Sequence, residues 1–169
     1  NNKVAMAKME TDWFDNPIET TGQYSGVVIS CTRGEILVLV PDEAVDTADS
    51  IEVSFSGGTI LPGTVKQKDS VADMALVSVN AAELEDRQYE RIKELPLGNS
   101  YGVRQGDLVV AIGSPAGVTG SSGYGAISYV VRSTKAVDGS TRIFYTDTAA
   151  DSQAGTFLIN TDGELIGWG

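Results

Sequence analysis

The sequence predicts an all-β protein built as two β-barrels, with one short helix between them. Short apolar segments recur at about 8–12-residue spacing and are separated by Gly, Pro, Asn and Asp, which is typical of barrels and sandwiches. The one helical pattern covers about residues 81–95 and leaves a similar number of strands on either side. We therefore assign residues 1–97, including the helix, to one barrel half and residues 98–169 to the other, together forming one domain.

The first half begins ambiguously and then becomes regular. Residues 3–10 fit either a strand or a short helix, and residues 11–22 are predicted as a loop with turn residues at Asp15-Asn16-Pro17. Apolar runs and alternation then predict strands at 24–31, 35–40, 51–55, 59–67 and 74–79. Residues 41–50 interrupt them as a loop or one helical turn, and Gly57-Gly58 forms a hairpin turn.

The helix is predicted from its start and stop signals. Asn80 can cap its N-terminus, with Glu83 three residues later completing a capping box, and Pro96 ends it. Its apolar residues fall near one face: Ala81, Leu84, Ile92 and Leu95. A linker at 98–106 then leads into the second half.

The second half is again strand and turn. Strands are predicted at 107–113, 126–131 and 142–148, and the apolar residues at 157–159 and 165–166 predict two more. Residues 114–125 are rich in Gly and Ser and are expected to form a surface loop rather than a phosphate cradle, because no P-loop lysine is present. Gly163 can supply a positive φ in the turn at 160–163. The small residues at 150–155 allow backbone N–H groups to face an anion or oxyanion.

The charge and composition exclude several classes of function. The chain has 23 acidic and 12 basic residues, for a formal net charge of −11, so we expect neither nucleic-acid binding nor direct contact with an anionic membrane. It contains no histidine, which removes the commonest general base and the commonest transition-metal ligand. We expect no cofactor and no metal site. The single cysteine, Cys31, cannot form an internal disulfide and is expected to be a small strand residue.

Seven segments in the same order resemble the trypsin-like serine proteases of the HtrA/Deg family. They are YSGVVIS (24–30), DSIEV (49–53), DMAL (73–76), LPLGNS (95–100), GDLVVAIGSP (106–115), TDTAADSQAGTFLIN (146–160) and GELIG (163–167). The resemblance covers most of the chain and implies a chymotrypsin/trypsin-like double β-barrel. It also implies where the catalytic triad would lie.

The catalytic positions depart from the family pattern. Alignment on the segment that ends at Asn160 puts Ala154 at the position of the nucleophilic serine, with Ser152 and Gln153 in the vestigial oxyanion loop. The position of the histidine falls closest to Glu43, and the triad aspartate corresponds to Asp73. Alanine has no oxygen with which to attack an amide, and an isolated aspartate has no base to orient. The resemblance therefore implies a pseudoprotease with no catalytic residues.

Other chemistry at these positions stays open as an alternative. Glu43 could act as a non-standard base only if burial made its carboxylate far less acidic. Ser152 could work with a lysine, for which Lys66, Lys68 and Lys135 are the candidates. The acidic residues at 42–49 could bind Ca²⁺, but they lack EF-hand spacing, and a solvated loop is favoured.

We expect the domain to bind a peptide or protein in the cleft between its barrels, in a regulatory or scaffolding role. The alternatives are a serine endopeptidase with a non-standard base and a purely structural module. The resemblance implies a bacterial, extracytoplasmic or cell-surface location, with a membrane anchor outside this segment.

Overall fold

The computed structural model of the chain describes residues 2–11, 17–46, 48–55, 58–113, 121–136, 139–147 and 155–168. The chain divides into two compact units, Asn1–Glu94 and Leu95–Gly169. In the described part of the chain, no helix has both the length and the hydropathy that a bilayer crossing requires.

The first unit is a closed barrel of six antiparallel strands. They are β1 (Asn2–Thr11), β2 (Pro17–Cys31), β3 (Glu35–Pro41), β4 (Ser50–Ser54), β5 (Ile60–Asp69) and β6 (Met74–Asn80). Around the barrel they follow the order β1-β2-β3-β6-β5-β4, and β1 also pairs with β4 to close it. Closure leaves this sheet without an open edge.

Alternating side chains of β3 and β6 form the centre of the first core. Ile36, Val38 and Val40 of β3 and Val77 and Val79 of β6 are completely buried. This is the period-2 pattern of strands with one face in a core, and it confirms the strands predicted there. A β-carbon on Gly63 of β5 would lie 2.6 Å from a methyl group of Val77, so only glycine fits at that point of the wall.

The segment predicted as a loop at 11–22 is mostly strand, and the prediction was wrong there. The strand β2 begins at Pro17, and its residues up to Gly26 pair in unbroken register with β1. This part of β2 is polar and lacks an alternating pattern, so its backbone pairing gives no apolar signal. Proline is compatible with the first position of a strand. Asp15 and Asn16 lie outside the described residues.

The predicted helix exists but is much shorter, because α1 covers only Asp86–Arg91. Asn80 remains in β6, paired with Glu35, and its Oδ1 accepts the backbone N–H of Ala82, so it starts a turn instead of a helix. The capping box forms five residues later, between Glu85 and Gln88. The range 81–95 was therefore wrong at both ends.

The second unit contains a five-stranded antiparallel sheet. Its strands are β7 (Leu108–Gly113), β8 (Ser121–Ala136), β9 (Gly139–Thr146), β10 (Phe157–Asn160) and β11 (Leu165–Trp168). Their order is β11-β10-β7-β8-β9. Val103, Val109, Ile127 and Ile166 form a buried cluster within this unit.

One loop prediction in this unit was partly wrong, and one turn prediction is confirmed. Residues 121–125 of the predicted Gly/Ser loop belong to β8 and pair with β7, because glycine and serine can join a ladder through their backbones. Residues 114–120 lie outside the described range. Gly163 has φ +81° in the turn between β10 and β11, as predicted, and its N–H donates to the carbonyl of Asn160.

Candidate functional site

Glu43 lies in a short 3-10 turn, Asp42–Ala44, that directly follows β3. Ala44 and the next residue, Val45, are buried in the first core, and they anchor the turn while Glu43 stays exposed. The burial that a glutamate would need to act as a base near neutral pH is therefore missing at this position.

Asp73 lies beside that turn. The register of β3 with β6 brings Pro41 opposite Met74, and the backbone N–H of Asp42 donates to the carbonyl of Asp73 at 3.0 Å. Asp73 has φ +54° and is the one non-glycine residue with a positive φ in the described part of the chain. The fold thus bonds the backbone of Asp73 to that of Asp42, the residue before Glu43.

The charge of Glu43 acts on Tyr24 at the start of the apolar part of β2. Burial, and in second place the negative charge of Glu43, raise the pKa of the Tyr24 phenol. Tyr24 therefore keeps its phenolic proton near neutral pH.

The two described candidate lysines are engaged in ion pairs. Lys66 Nζ lies 2.7 Å from a carboxylate oxygen of Glu35, and Ser78 Oγ donates to the other oxygen at 2.6 Å. These two hydrogen bonds hold the pKa of Glu35 below its ordinary value. The ion pair thus engages the amine of Lys66 with the Glu35 carboxylate.

Lys68 pairs with Asp46, and this hydrogen bond raises the pKa of Lys68 above its ordinary value. A raised pKa makes the amine harder to deprotonate, so Lys68 is a poorer base than an isolated lysine. The side chain of Lys135 lies outside the described range.

The vestigial oxyanion loop itself, Ser152, Gln153 and Ala154, lies outside the described residues. The residues that follow it are described. Gly155 is buried with φ +101°, and Phe157, the first residue of β10, is completely buried. A β-carbon on Gly113 at the end of β7 would come within 3.0 Å of Thr156 Oγ1, so β7 packs closely against this segment.

Asp147, which sequence reasoning did not single out, fixes the segment that precedes the vestigial oxyanion loop. Asp147 Oδ1 accepts the backbone N–H of Ala126 at 2.6 Å, and the N–H of Asp147 donates to the carbonyl of Ala126. Asp147 belongs to the TDTA motif quoted above, so the motif carries this structural role as well as a family likeness.

Comparison with known proteins agrees with the fold and the order of motifs. The family model described as trypsin-like peptidase domain matches residues 24–167. A probable periplasmic serine protease do/HhoA-like from Haemophilus influenzae is 32% identical over 148 residues, which cover 86% of this chain and 30% of that protein. The periplasmic serine endoprotease DegP of Salmonella typhimurium is 32% identical over 144 residues, covering 85% of this chain and 28% of that protein.

Solved structures with the same fold include the HtrA-type protease AlgW with a decapeptide, which has a TM-score of 0.72 and 24% identity. A second structure, AlgW with a tripeptide, has a TM-score of 0.73 and 26% identity. Both matches cover 99% of this chain, and 54% and 49% of the respective AlgW chains. This chain thus spans about half of those chains and less than a third of the two relatives above.

These matches confirm the predicted all-β fold class, and the HtrA/Deg resemblance read from the seven segments agrees with the named relatives. The match to the family model extends from the half-buried Tyr24 to Gly167 in the last strand, and it includes both units. The chain therefore belongs to the trypsin-like peptidase domain family.

Proposed function

We propose that this chain is a catalytically inactive trypsin-like domain that binds a peptide or protein. One observation carries the proposal: the 169 residues contain no histidine, and alanine stands at the position that aligns with the nucleophile. Acyl transfer by a serine enzyme needs both a base and an attacking oxygen. Because the scaffold would be kept while its chemistry is lost, the role we propose is regulatory or scaffolding.

The described part of the site supports this proposal. Glu43 is exposed, and Lys66 and Lys68 are held in ion pairs. None of these groups is placed in an environment that would make it an effective base. A serine endopeptidase with a non-standard base is therefore the weaker alternative.

Peptide binding and an extracytoplasmic bacterial location are proposed from the relatives. Two relatives are named periplasmic, and the AlgW structures contain short peptides. Those names describe proteins of which this chain covers only a part. The peptide-binding cleft between the two barrels and the membrane anchor outside this segment both remain predictions.

A fluorophosphonate probe tests the loss of catalysis, because it labels a serine only when a base activates that serine. We expect no labelling of the unmodified chain or of an Ala154→Ser variant, with trypsin as the positive control. Labelling of any serine in the unmodified chain would overturn the proposal. Labelling of the variant alone would show that a base survives and would contradict the loss of the whole mechanism.

Digestion of casein from acid to alkaline pH is the second test of catalysis, and we expect a flat profile of digestion at background level.

Binding is tested separately on a peptide array. An array without any specific binding would favour the purely structural alternative over the peptide-binding role.

A further inference from the structure

Tyr129 of β8 and Tyr145 of β9 face each other on the exposed side of the sheet in the second unit. They are directly opposite in the pairing of the two strands, and their ring centroids lie 6.3 Å apart. Both residues are open to solvent, with exposed fractions of 59% and 55%. Opposed residues of an antiparallel pair have β-carbons about 4.5–5.5 Å apart, so the backbone holds the two rings within reach of each other.

A β-bulge turns Tyr129 toward this exposed face. Residues two apart in a regular strand share a face, and Ile127, two residues before Tyr129, is buried in the core of the second unit. A regular strand would therefore direct Tyr129 inward as well. The register shifts between these residues, because Ile127 is opposite Thr146 and Tyr129 is opposite the adjacent Tyr145. The extra residue on β8 reverses the alternation, and Tyr129 reaches the face of Tyr145.

This combination of exposure and a neighbouring phenol is found at no other tyrosine. All six tyrosines lie in the described part of the chain, and Tyr129 and Tyr145 are the pair whose rings contact each other. Tyr24 is half-buried. Tyr124 is more exposed than either partner, at 82%, but no described ring contacts it.

We propose that Tyr129 and Tyr145 are a site of oxidative modification, at which a one-electron oxidant joins the two side chains as dityrosine. Each phenol loses one electron and one proton and becomes a tyrosyl radical. The two radicals form a carbon–carbon bond between ring positions ortho to the oxygens, and the hydrogen on each of these carbons moves to the oxygen and restores the hydroxyl. The oxidant is hydrogen peroxide, activated by a haem peroxidase, and the two electrons and two protons reduce it to two molecules of water.

The fold favours coupling within one chain over coupling between chains. Exposed side chains change rotamer within picoseconds to nanoseconds, so each ring meets the partner held opposite it far more often than a ring of another molecule. The product joins β8 to β9 covalently and should slow the local opening of this hairpin. The inference goes beyond the proposed function and does not depend on it, because no residue of the vestigial triad takes part.

The test treats the whole chain with a haem peroxidase and limiting hydrogen peroxide, and it follows the blue fluorescence of dityrosine. We expect a monomeric product whose yield per chain is independent of the protein concentration. Digestion with trypsin should then give a cross-linked product that joins residues 105–132 to residues 143–169. Unfolding in urea before oxidation should lower the yield, because the two rings are then no longer held opposite each other.

Three variants identify the reacting phenols. Tyr129→Phe and Tyr145→Phe each remove one hydroxyl and keep the ring, and the fluorescence should fall to background in both. Tyr124→Phe is the matched control, because it removes a more exposed phenol from the same strand and should leave the yield unchanged. This control is needed because Tyr124 and Tyr129 lie in the same tryptic peptide.

The proposal is wrong if the unmodified chain forms no dityrosine, or if its product joins separate chains and increases with protein concentration. It is also wrong if the cross-link persists in Tyr129→Phe or Tyr145→Phe. The first two results come from the unmodified chain, so they decide the matter even where a variant fails to fold. Neither the labelling of serines nor binding on the peptide array changes with these outcomes, so the proposed function is tested separately.

Discussion

Asp73 in the first unit and Gly155 in the second share a backbone conformation and differ in residue type. Both have a positive φ, +54° and +101°, and each lies at or beside a predicted triad position. Only the second is a glycine, for which this conformation carries no steric cost. For an L-residue the left-handed region costs about 1–2 kcal/mol, although aspartate tolerates it better than most.

The difference is that only one of the two positions has the residue type that suits its conformation. Gly155 satisfies its conformation with the residue that suits it, so the turn before β10 is a stable part of the scaffold. Asp73 keeps a backbone conformation that is costly for an L-residue, and under the proposed function its carboxylate has no base to orient. Strained residues concentrate at functional sites, and here the strain remains where the proposed function no longer uses the carboxylate.

The largest expected effect comes from the residue that anchors the turn of Gly155 to the core. Phe157 is completely buried two residues after it, and Phe157→Ala should lower the free energy of unfolding by about 3–5 kcal/mol through lost burial and the cavity left behind. Urea unfolding, followed by amide exchange in β7 and β10, measures the loss.

Leu158→Ala on the same strand is the matched control, because Leu158 is only half-buried. Its expected loss is about 1–2 kcal/mol. Equal losses for the two variants would mean that Phe157 does not anchor the turn, and the description of this segment as stable scaffold would be wrong.

A smaller effect is expected from the glycine itself. Gly155→Ala puts a β-carbon into the left-handed region and should cost about 1–2 kcal/mol. Gly34→Ala is its control, since a β-carbon there meets no atom within 4 Å, and it should change stability by less than about 0.5 kcal/mol. Thermal unfolding of both variants gives the comparison, and similar melting temperatures would contradict the conformational role of Gly155.

Sequence reasoning predicted the parts of the fold in which burial sets the residue pattern. In β3, β4, β6 and β10 the inward side chains alternate with outward ones, so the strands could be read directly. The polar start of β2 and the glycine-rich start of β8 are held by backbone pairing with the preceding strands, β1 and β7, and this pairing leaves no apolar pattern. The capping motif at Asn80 was overridden because β6 continues through that residue.

For the candidate site, motif order assigned Glu43 and Asp73 to triad positions but could not predict their surroundings. The hydrogen bond from Asp42 to Asp73 depends on the register of β3 with β6, and a positive φ at an aspartate has no sequence signal. A surface pocket of the second unit was missed because its walls come from three separate segments: the 3-10 turn near Asn99, the start of β7 and the turn between β10 and β11. Asn160 was seen as a turn residue, and its role in holding Asp162 and Glu164 emerges only from their contacts.

The smallest and most informative effect is expected at Asp73. Asp73→Gly relieves the left-handed strain but also adds freedom to the unfolded chain, so the net gain in the free energy of unfolding should not exceed about 1 kcal/mol. Removing an acid from a chain with a net charge of −11 would add some stability of its own. The comparison therefore needs a variant that removes the charge and keeps the strain.

Asp73→Ala is that variant, because it removes the carboxylate and retains the β-carbon. We expect Asp73→Gly to be more stable than Asp73→Ala in urea unfolding, and both to bind peptides on the array as the unmodified chain does. A lower stability for the glycine variant would show that the strain at Asp73 is negligible. Lost peptide binding in both variants would show that the carboxylate still has a function, so that Asp73 could no longer be regarded as a relic.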